Sequence, residues 1–204
     1  MWVSMIIRLV GLIAVVGLTS CSQPSIEPLE KGAVIVAFGD SLTLGYGVAP
    51  DKSYPAVLQK LSGYQVINEG VSGEVTSQGL LRLAEVLARH QPKLVVLFES
   101  GNDILRKVPA EEIQNNLSQM IAMAQAQQVS VLLVGMPEKK LFGGTAPFYE
   151  TLAEQWNIPL EADIVGHLMM RASMKSDYIH FNEKGYQTLA EAIYDQLKAS
   201  GAFK

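Results

Sequence analysis

The sequence predicts an α/β fold in which a central parallel sheet is covered by helices on both faces, a three-layer α/β/α sandwich. Three observations carry this expectation. Short apolar runs alternate along the chain with longer stretches of helical periodicity, which implies crossover connections between parallel strands. The 204 residues suit one domain with a sizeable core and leave little room for a second. Clusters of glycine and polar residues fall directly after apolar runs, where the ligand sites of such sheets lie.

Residues 34–38, 65–68, 94–99 and 129–134 read as strands, three of them rich in valine, isoleucine or leucine, as strands buried on both faces are. Between them, residues 54–61, 77–90 and 110–127 carry apolar side chains at helical spacing, and Pro109 suits the start of the third stretch. Further helices are expected at 146–156 and 183–198, with Asn182 a candidate cap for the last.

Net charge is −4, and no run of like charge exceeds two residues, so no basic surface for nucleic acid is expected. The three histidines, His90, His167 and His180, are scattered without metal-ligand spacing, and no metal or other cofactor is implied. His90 ends a predicted helix, where a carbonyl partner and the helix dipole suit it. His167 has no patterned acid nearby and reads as a surface or packing residue.

The N-terminus has a different character. Arg8 is followed by an uninterrupted apolar or glycine stretch over residues 9–18, too short for a membrane span, and then by Leu18-Thr19-Ser20-Cys21. The only cysteine of the chain therefore stands where a signal peptide would be cut, and the segment resembles a bacterial lipoprotein signal. This implies a signal peptide over 1–20, a tether with Pro24 and Pro28 over 21–32 beginning at lipidated Cys21, and a folded domain over 33–204. A periplasmic protein held by its lipid to the outer membrane follows, because Ser22 rather than aspartate comes after the cysteine. An ordinary secretory signal or an uncleaved anchor is the alternative. A monomer is expected.

Gly39-Asp40-Ser41-Leu42 follows the first strand, Asn68-Glu69-Gly70-Val71-Ser72-Gly73-Glu74 the second, and Ser100-Gly101-Asn102-Asp103 the third. Near the C-terminus, Asp177-Tyr178-Ile179-His180 sets a carboxylate three residues before an imidazole. Ser41, His180 and Asp177 supply a nucleophile, a base and a group to orient the base. Each motif has a simpler explanation on its own: Ser41 as a helix cap, Gly73 as a tight turn, Asn102 and Asp103 as an Asx-turn, His180 bonded to a carbonyl, Asp177 as a loop acid. All five would have to hold together. Gly39-Asp40-Ser41-Leu42-Thr43 lacks the second glycine of the nucleophile elbow, which disfavours the α/β-hydrolase fold.

In this order and over residues 39–180, the blocks resemble those of a GDSL esterase of the SGNH hydrolase superfamily. The stretch from Asn68 to Leu80, followed by Leu81-Arg82-Leu83, is similar to the bacterial branch of multifunctional thioesterases, lysophospholipases and arylesterases. The resemblance implies a flavodoxin-like parallel sheet of about five strands. It makes Ser41 the nucleophile, His180 the base and Asp177 its partner, with the N–H groups of Ser41 and Gly73 and the side-chain amide of Asn102 holding the oxyanion. Three positions depart from the family pattern: Ser100 stands for a glycine, which would shift the loop presenting Asn102, Phe181 for a proline and Glu74 for an aspartate.

The loops after the third and fourth strands face the same end of the sheet. Residues 104–106 and the loop from Met136 through Phe148 are expected to line an acyl pocket; their apolar members Ile104, Leu105, Leu141, Phe142 and Phe148 suit an acyl chain, while Arg106, Lys139 and Lys140 could meet an anionic head group, and each could equally be a solvated loop residue. The expected activity is hydrolysis of carboxylic esters or thioesters such as lysophospholipids, aryl esters or short to medium acyl esters. Removal of acetyl groups from glycans, or a non-catalytic binding role on a hydrolase fold, are the alternatives.

Overall fold

The computed structural model describes residues 24–138 and 144–203. Five parallel strands form one sheet in the order β2-β1-β3-β4-β5: β1 (Val34–Gly39), β2 (Gln65–Gly70), β3 (Leu94–Phe98), β4 (Ser130–Val134) and β5 (Leu160–Glu161). The expected α/β fold is met. β5 has only two residues, paired as Leu133 with Leu160 and Val134 with Glu161, too short to leave a periodic signal in the sequence.

Among the described residues, eight α-helices accompany the strands: α1 (Ser41–Leu44), α2 (Tyr54–Ser62), α3 (Thr76–His90), α4 (Gly101–Arg106), α5 (Ala110–Gln125), α6 (Phe148–Trp156), α7 (Ile164–Met169) and α8 (Glu183–Ala199). The sequence reading anticipated five of them. The short α1, α4 and α7 lie in segments whose glycine and polar residues look like loops. α3 buries Gly79, Leu83, Val86 and Leu87, one face at helical spacing, and α8 does the same with Tyr186, Leu189, Ala190, Ile193 and Leu197. Asn182 caps α8, its Oδ1 accepting the Gly185 N–H at 3.0 Å.

The chain passes from β1 outward to β2 and then crosses back to β3 on the other side of β1. With right-handed crossovers this reversal puts α2 on one face and α3, α5 and α6 on the other. α8 packs on α2, closing the first layer, while α3 packs on α5 and α5 on α6. The crevice between the carboxyl ends of β1 and β3 is thus the switch point of the sheet, where such folds place their ligands.

Ile26 and Leu29 are buried, and their N–H groups donate to Ser200 O at 2.8 Å and Ala202 O at 2.9 Å. Tyr64 Oη donates to Leu29 O, and Phe203 stacks between Tyr64 and Tyr194. The described part of the stretch read as a tether is therefore docked against the C-terminal segment from Ile26 onward. Ser25, Ile26 and Glu27 share a groove with Gln128, Val129 and Ser130, the residues entering β4. This end of the sheet is opposite the crevice. Cys21 and the segment over 1–20 lie outside the described residues. Among the described residues, no helix is long and apolar enough to cross a membrane.

Candidate active site

β1 ends at Gly39 because nothing larger fits there: a Cβ would run into Phe98 O on the neighbouring strand and Thr43 Oγ1. Asp40 then caps α1, its Oδ1 accepting the Leu42 N–H at 2.9 Å, and Ser41 becomes the first residue of the helix. The Ser41 N–H, at the first turn, has no carbonyl one turn behind to receive it.

His180 Nε2 lies 3.1 Å from Ser41 Oγ, and its Nδ1 lies 2.8 Å from Asp177 Oδ2. A carboxylate accepts only, so Nδ1 carries the proton and Nε2 is free to accept the serine hydroxyl. Asp177 Oδ1 also accepts the N–H groups of Ile179 and His180, each at 2.8 Å. The His180 N–H first, then its ring and the Ile179 N–H, hold the Asp177 carboxyl down at about 2. Behind this turn Phe181 is fully buried and packs edge-on against Tyr186, fixing the loop to α8. The Tyr46 ring sits 4.4 Å from that of His180. The sequence offered no signal for that contact.

The second block forms a type II turn: Glu74 N–H donates to Val71 O at 3.2 Å, and Gly73 takes φ 80, the left-handed value that the third position of such a turn demands. Asn102, on the first turn of α4, faces it. Its Nδ2 donates to Glu74 O at 2.9 Å and makes a longer contact of 3.3 Å with Asp40 Oδ2. An oxyanion has only the longer, weaker contact to displace.

Asp103 does not close a local turn. Its carboxylate reaches across to α3, accepting the Thr76 N–H at 2.9 Å and the Thr76 hydroxyl at 2.7 Å, and so satisfies a free amide at that helix's start. Ser100 adopts the left-handed backbone a glycine would favour, φ 96, and its Oγ meets Tyr149 Oη at 2.6 Å while Tyr149 Oη also contacts Glu99 O at 2.7 Å. The buried tyrosine holds the loop in the glycine-like conformation despite the substitution.

Glu99, just beyond β3, is buried with Oε2 accepting the Ser100 N–H and Oε1 without a hydrogen-bond partner. Burial, then the charge of Asp40 and the neighbouring Glu74, push its carboxyl well above the usual range. Burial likewise raises Asp40 to about 6, the Leu42 N–H and His180 drawing it partly back. Arg82 supplies positive charge beside these acids: its Nε and Nη2 grip both oxygens of Glu74 at 2.9 and 2.6 Å while its Nη1 meets Glu69 at 3.2 Å. His90 Nε2 also meets Glu69, at 2.6 Å, so its partner is a β2 carboxylate rather than the expected carbonyl. His167 is exposed on α7.

Ser41, Gly73, Asn102 and His180 open onto one cavity of about 670 Å³. Ile104 and Leu105 line it, as expected from the sequence. Phe148 does not: it lies at the start of α6 with its ring 4.6 Å from that of Tyr149, turned to the core. Phe142, with Leu141, Lys139 and Lys140, falls outside the described residues. Leu42, Met136, Pro137, Met169, Tyr178 and Ile179 add to the apolar wall. Among the described residues, no group of three or more His, Cys, Asp or Glu is placed to hold a metal ion.

Residues 37–188 match the model of the GDSL-like lipase/acylhydrolase family. The chain is similar to the Vibrio mimicus protein named Arylesterase, 30% identical over 202 residues that cover 94% of this chain and 98% of the relative. It is also similar to Thioesterase 1/protease 1/lysophospholipase L1 of Escherichia coli K12, 28% identical over 172 residues, 80% of this chain and 83% of that one. Among solved structures, the crystal structure of TesA superposes with a TM-score of 0.76 at 29% identity, covering 82% of this chain and 99% of TesA.

Proposed function

This chain belongs to the GDSL-like lipase/acylhydrolase family and is a serine esterase, a carboxylic ester hydrolase, and on that premise we propose how its residues divide the work. Ser41 Oγ attacks the carbonyl carbon while His180 Nε2 takes the hydroxyl proton. Asp177 holds the imidazole in the accepting tautomer and stabilises it once charged. The negative charge arriving on the carbonyl oxygen is met by the N–H groups of Ser41 and Gly73 and by Asn102 Nδ2. As the tetrahedral adduct collapses, the bond to the leaving oxygen or sulfur breaks and His180 gives it the proton. Water then attacks the acyl-Ser41 ester by the same route, its proton passing through His180 to Ser41 as the acid departs.

The observation that carries this reading is the continuous chain Asp177, His180, Ser41 at the mouth of an apolar cavity. The methionine and isoleucine lining suits an acyl chain, and the names of the relatives support aryl esters, thioesters and lysophospholipids as substrates. A series of p-nitrophenyl esters of increasing acyl length tests it. Activity is expected to vary with length and to peak beyond acetate; turnover of acetate alone would favour glycan deacetylation instead.

The reading also makes the protein a monomer, lipid-anchored through Cys21 on the periplasmic side of the outer membrane. The apolar stretch over 9–18 and the small residues before the cysteine support that placement. Metabolic labelling with a radioactive fatty acid should mark the wild type and not Cys21→Ala; an unlabelled wild type removes the anchor.

A further inference from the structure

We propose that Arg106 is a positioning residue for the oxyanion hole, fixing the Gly73 turn at its working distance from Asn102. The inference rests on the reading of Gly73 and Asn102 as oxyanion donors. Asn102 and Arg106 stand one turn apart on α4 and hold consecutive carbonyls of the same turn: Asn102 Nδ2 donates to Glu74 O at 2.9 Å, and Arg106 Nη2 donates to Gly73 O at 3.0 Å. The helix that carries one donor thus grips, twice, the segment that carries another.

That grip has a definite mechanical role. The turn's own closure is a single 3.2 Å bond from Glu74 N to Val71 O, and its entrance is tied to β1 by Val71 N to Gly39 O at 2.9 Å. On the far side Arg82, from α3, clamps the Glu74 carboxylate. Without Arg106, Gly73 itself would be held only by its neighbours. Arg106 is exposed and does not line the cavity. Donors stabilise the transition state only as far as they are already in place when charge develops. Loosening one end of the pair should therefore lower kcat and leave KM alone.

The experiment measures kcat and KM on p-nitrophenyl butyrate, the rate at which a p-nitrophenyl phosphonate modifies Ser41, and the thermal midpoint, for Arg106→Gln, Arg106→Lys and the Arg106→Gln/Asn102→Ala pair. Arg106→Gln is expected to lower kcat about tenfold with KM within about twofold, and to slow phosphonylation in proportion, since the phosphonyl oxygen occupies the same hole. Arg106→Lys, which keeps the charge and one donor, is expected about threefold below wild type, and it decides the matter if the glutamine variant does not fold. The double variant should be no slower than Asn102→Ala alone by more than about twofold, because both substitutions disable one device. Wild-type kcat in Arg106→Gln and Arg106→Lys, a loss carried by KM, or full additivity with Asn102→Ala overturns the role. If wild-type turnover itself survives Ser41→Ala, the esterase assignment of the site has failed rather than the role of Arg106.

Discussion

Ser41→Ala and His180→Ala are each expected to reduce kcat on a p-nitrophenyl ester by about a millionfold, and the double variant to fall no further, because the two side chains act as one unit. The 3.1 Å contact between Ser41 Oγ and His180 Nε2 is the reason: without the base the hydroxyl is a poor nucleophile, and without the hydroxyl the base has nothing to activate. Asp177→Asn should cost less, about ten-thousandfold, by presenting an amide N–H to Nδ1 and favouring the unproductive tautomer. Steady-state assays with active-site titration, to exclude traces of wild type, check all four variants. An independent, multiplicative loss in the Ser41/His180 pair would mean that the two residues do not share a proton transfer, and the mechanism would have to be redrawn.

The second large effect concerns folding. Gly70→Ala at the end of β2 would drive its methyl group into the backbone of α1, at the N and Cα of Leu44 and the carbonyl carbon of Thr43. Backbone cannot swing aside as the end of a side chain can, so the cost should be about 3 kcal/mol or more, lowering the thermal midpoint by roughly 6 to 12 °C for a chain this size. The helix that must yield is the one that carries Ser41, so activity should fall by more than the loss of folded protein explains. Gly144→Ala meets nothing within 4 Å and is the matched control, expected to be near neutral. Melting by circular dichroism, with activity per folded molecule, separates the two effects. A Gly70→Ala midpoint within about 2 °C of wild type would show that β2 and α1 are less tightly apposed than they are here.

The long strands and the motifs behind them were legible because each rests on local information. Val34–Gly39 and Leu94–Phe98 are continuous apolar runs, and the glycines that end them or follow them mark where the chain must turn tightly. The same locality explains what stayed hidden. β5 is two residues long, and α4 looks like a loop because its first residues are Gly-Asn-Asp. Glu99 sat inside what read as a strand, and only the assembled sheet shows it as a buried acid facing Asp40 and Glu74. The cavity wall was half legible: Ile104 and Leu105 follow directly from the third block and Met136 begins the loop after the fourth strand, whereas Met169 and Tyr178 come from two separate segments that only the fold gathers. Phe148 was misplaced because helical spacing says that a residue has a face, without saying which neighbour that face meets. The partner of His90 was missed for a related reason, since Glu69 lies 21 residues away in sequence.

The docking of Ile26 and Leu29 beside the entrance to β4 bears on which way the molecule looks. The six residues of β1 rise about 3.3 Å each, so roughly 20 Å of sheet separates the end where the N-terminal segment is fastened from the end where Ser41 opens to solvent. The segment from Ser25 to Leu29 therefore lies at the rear of the domain. Were the domain held to a membrane through the lipidated Cys21 proposed above, fastening at that end would turn the catalytic mouth outward, toward molecules arriving through the surrounding fluid or presented by a facing surface.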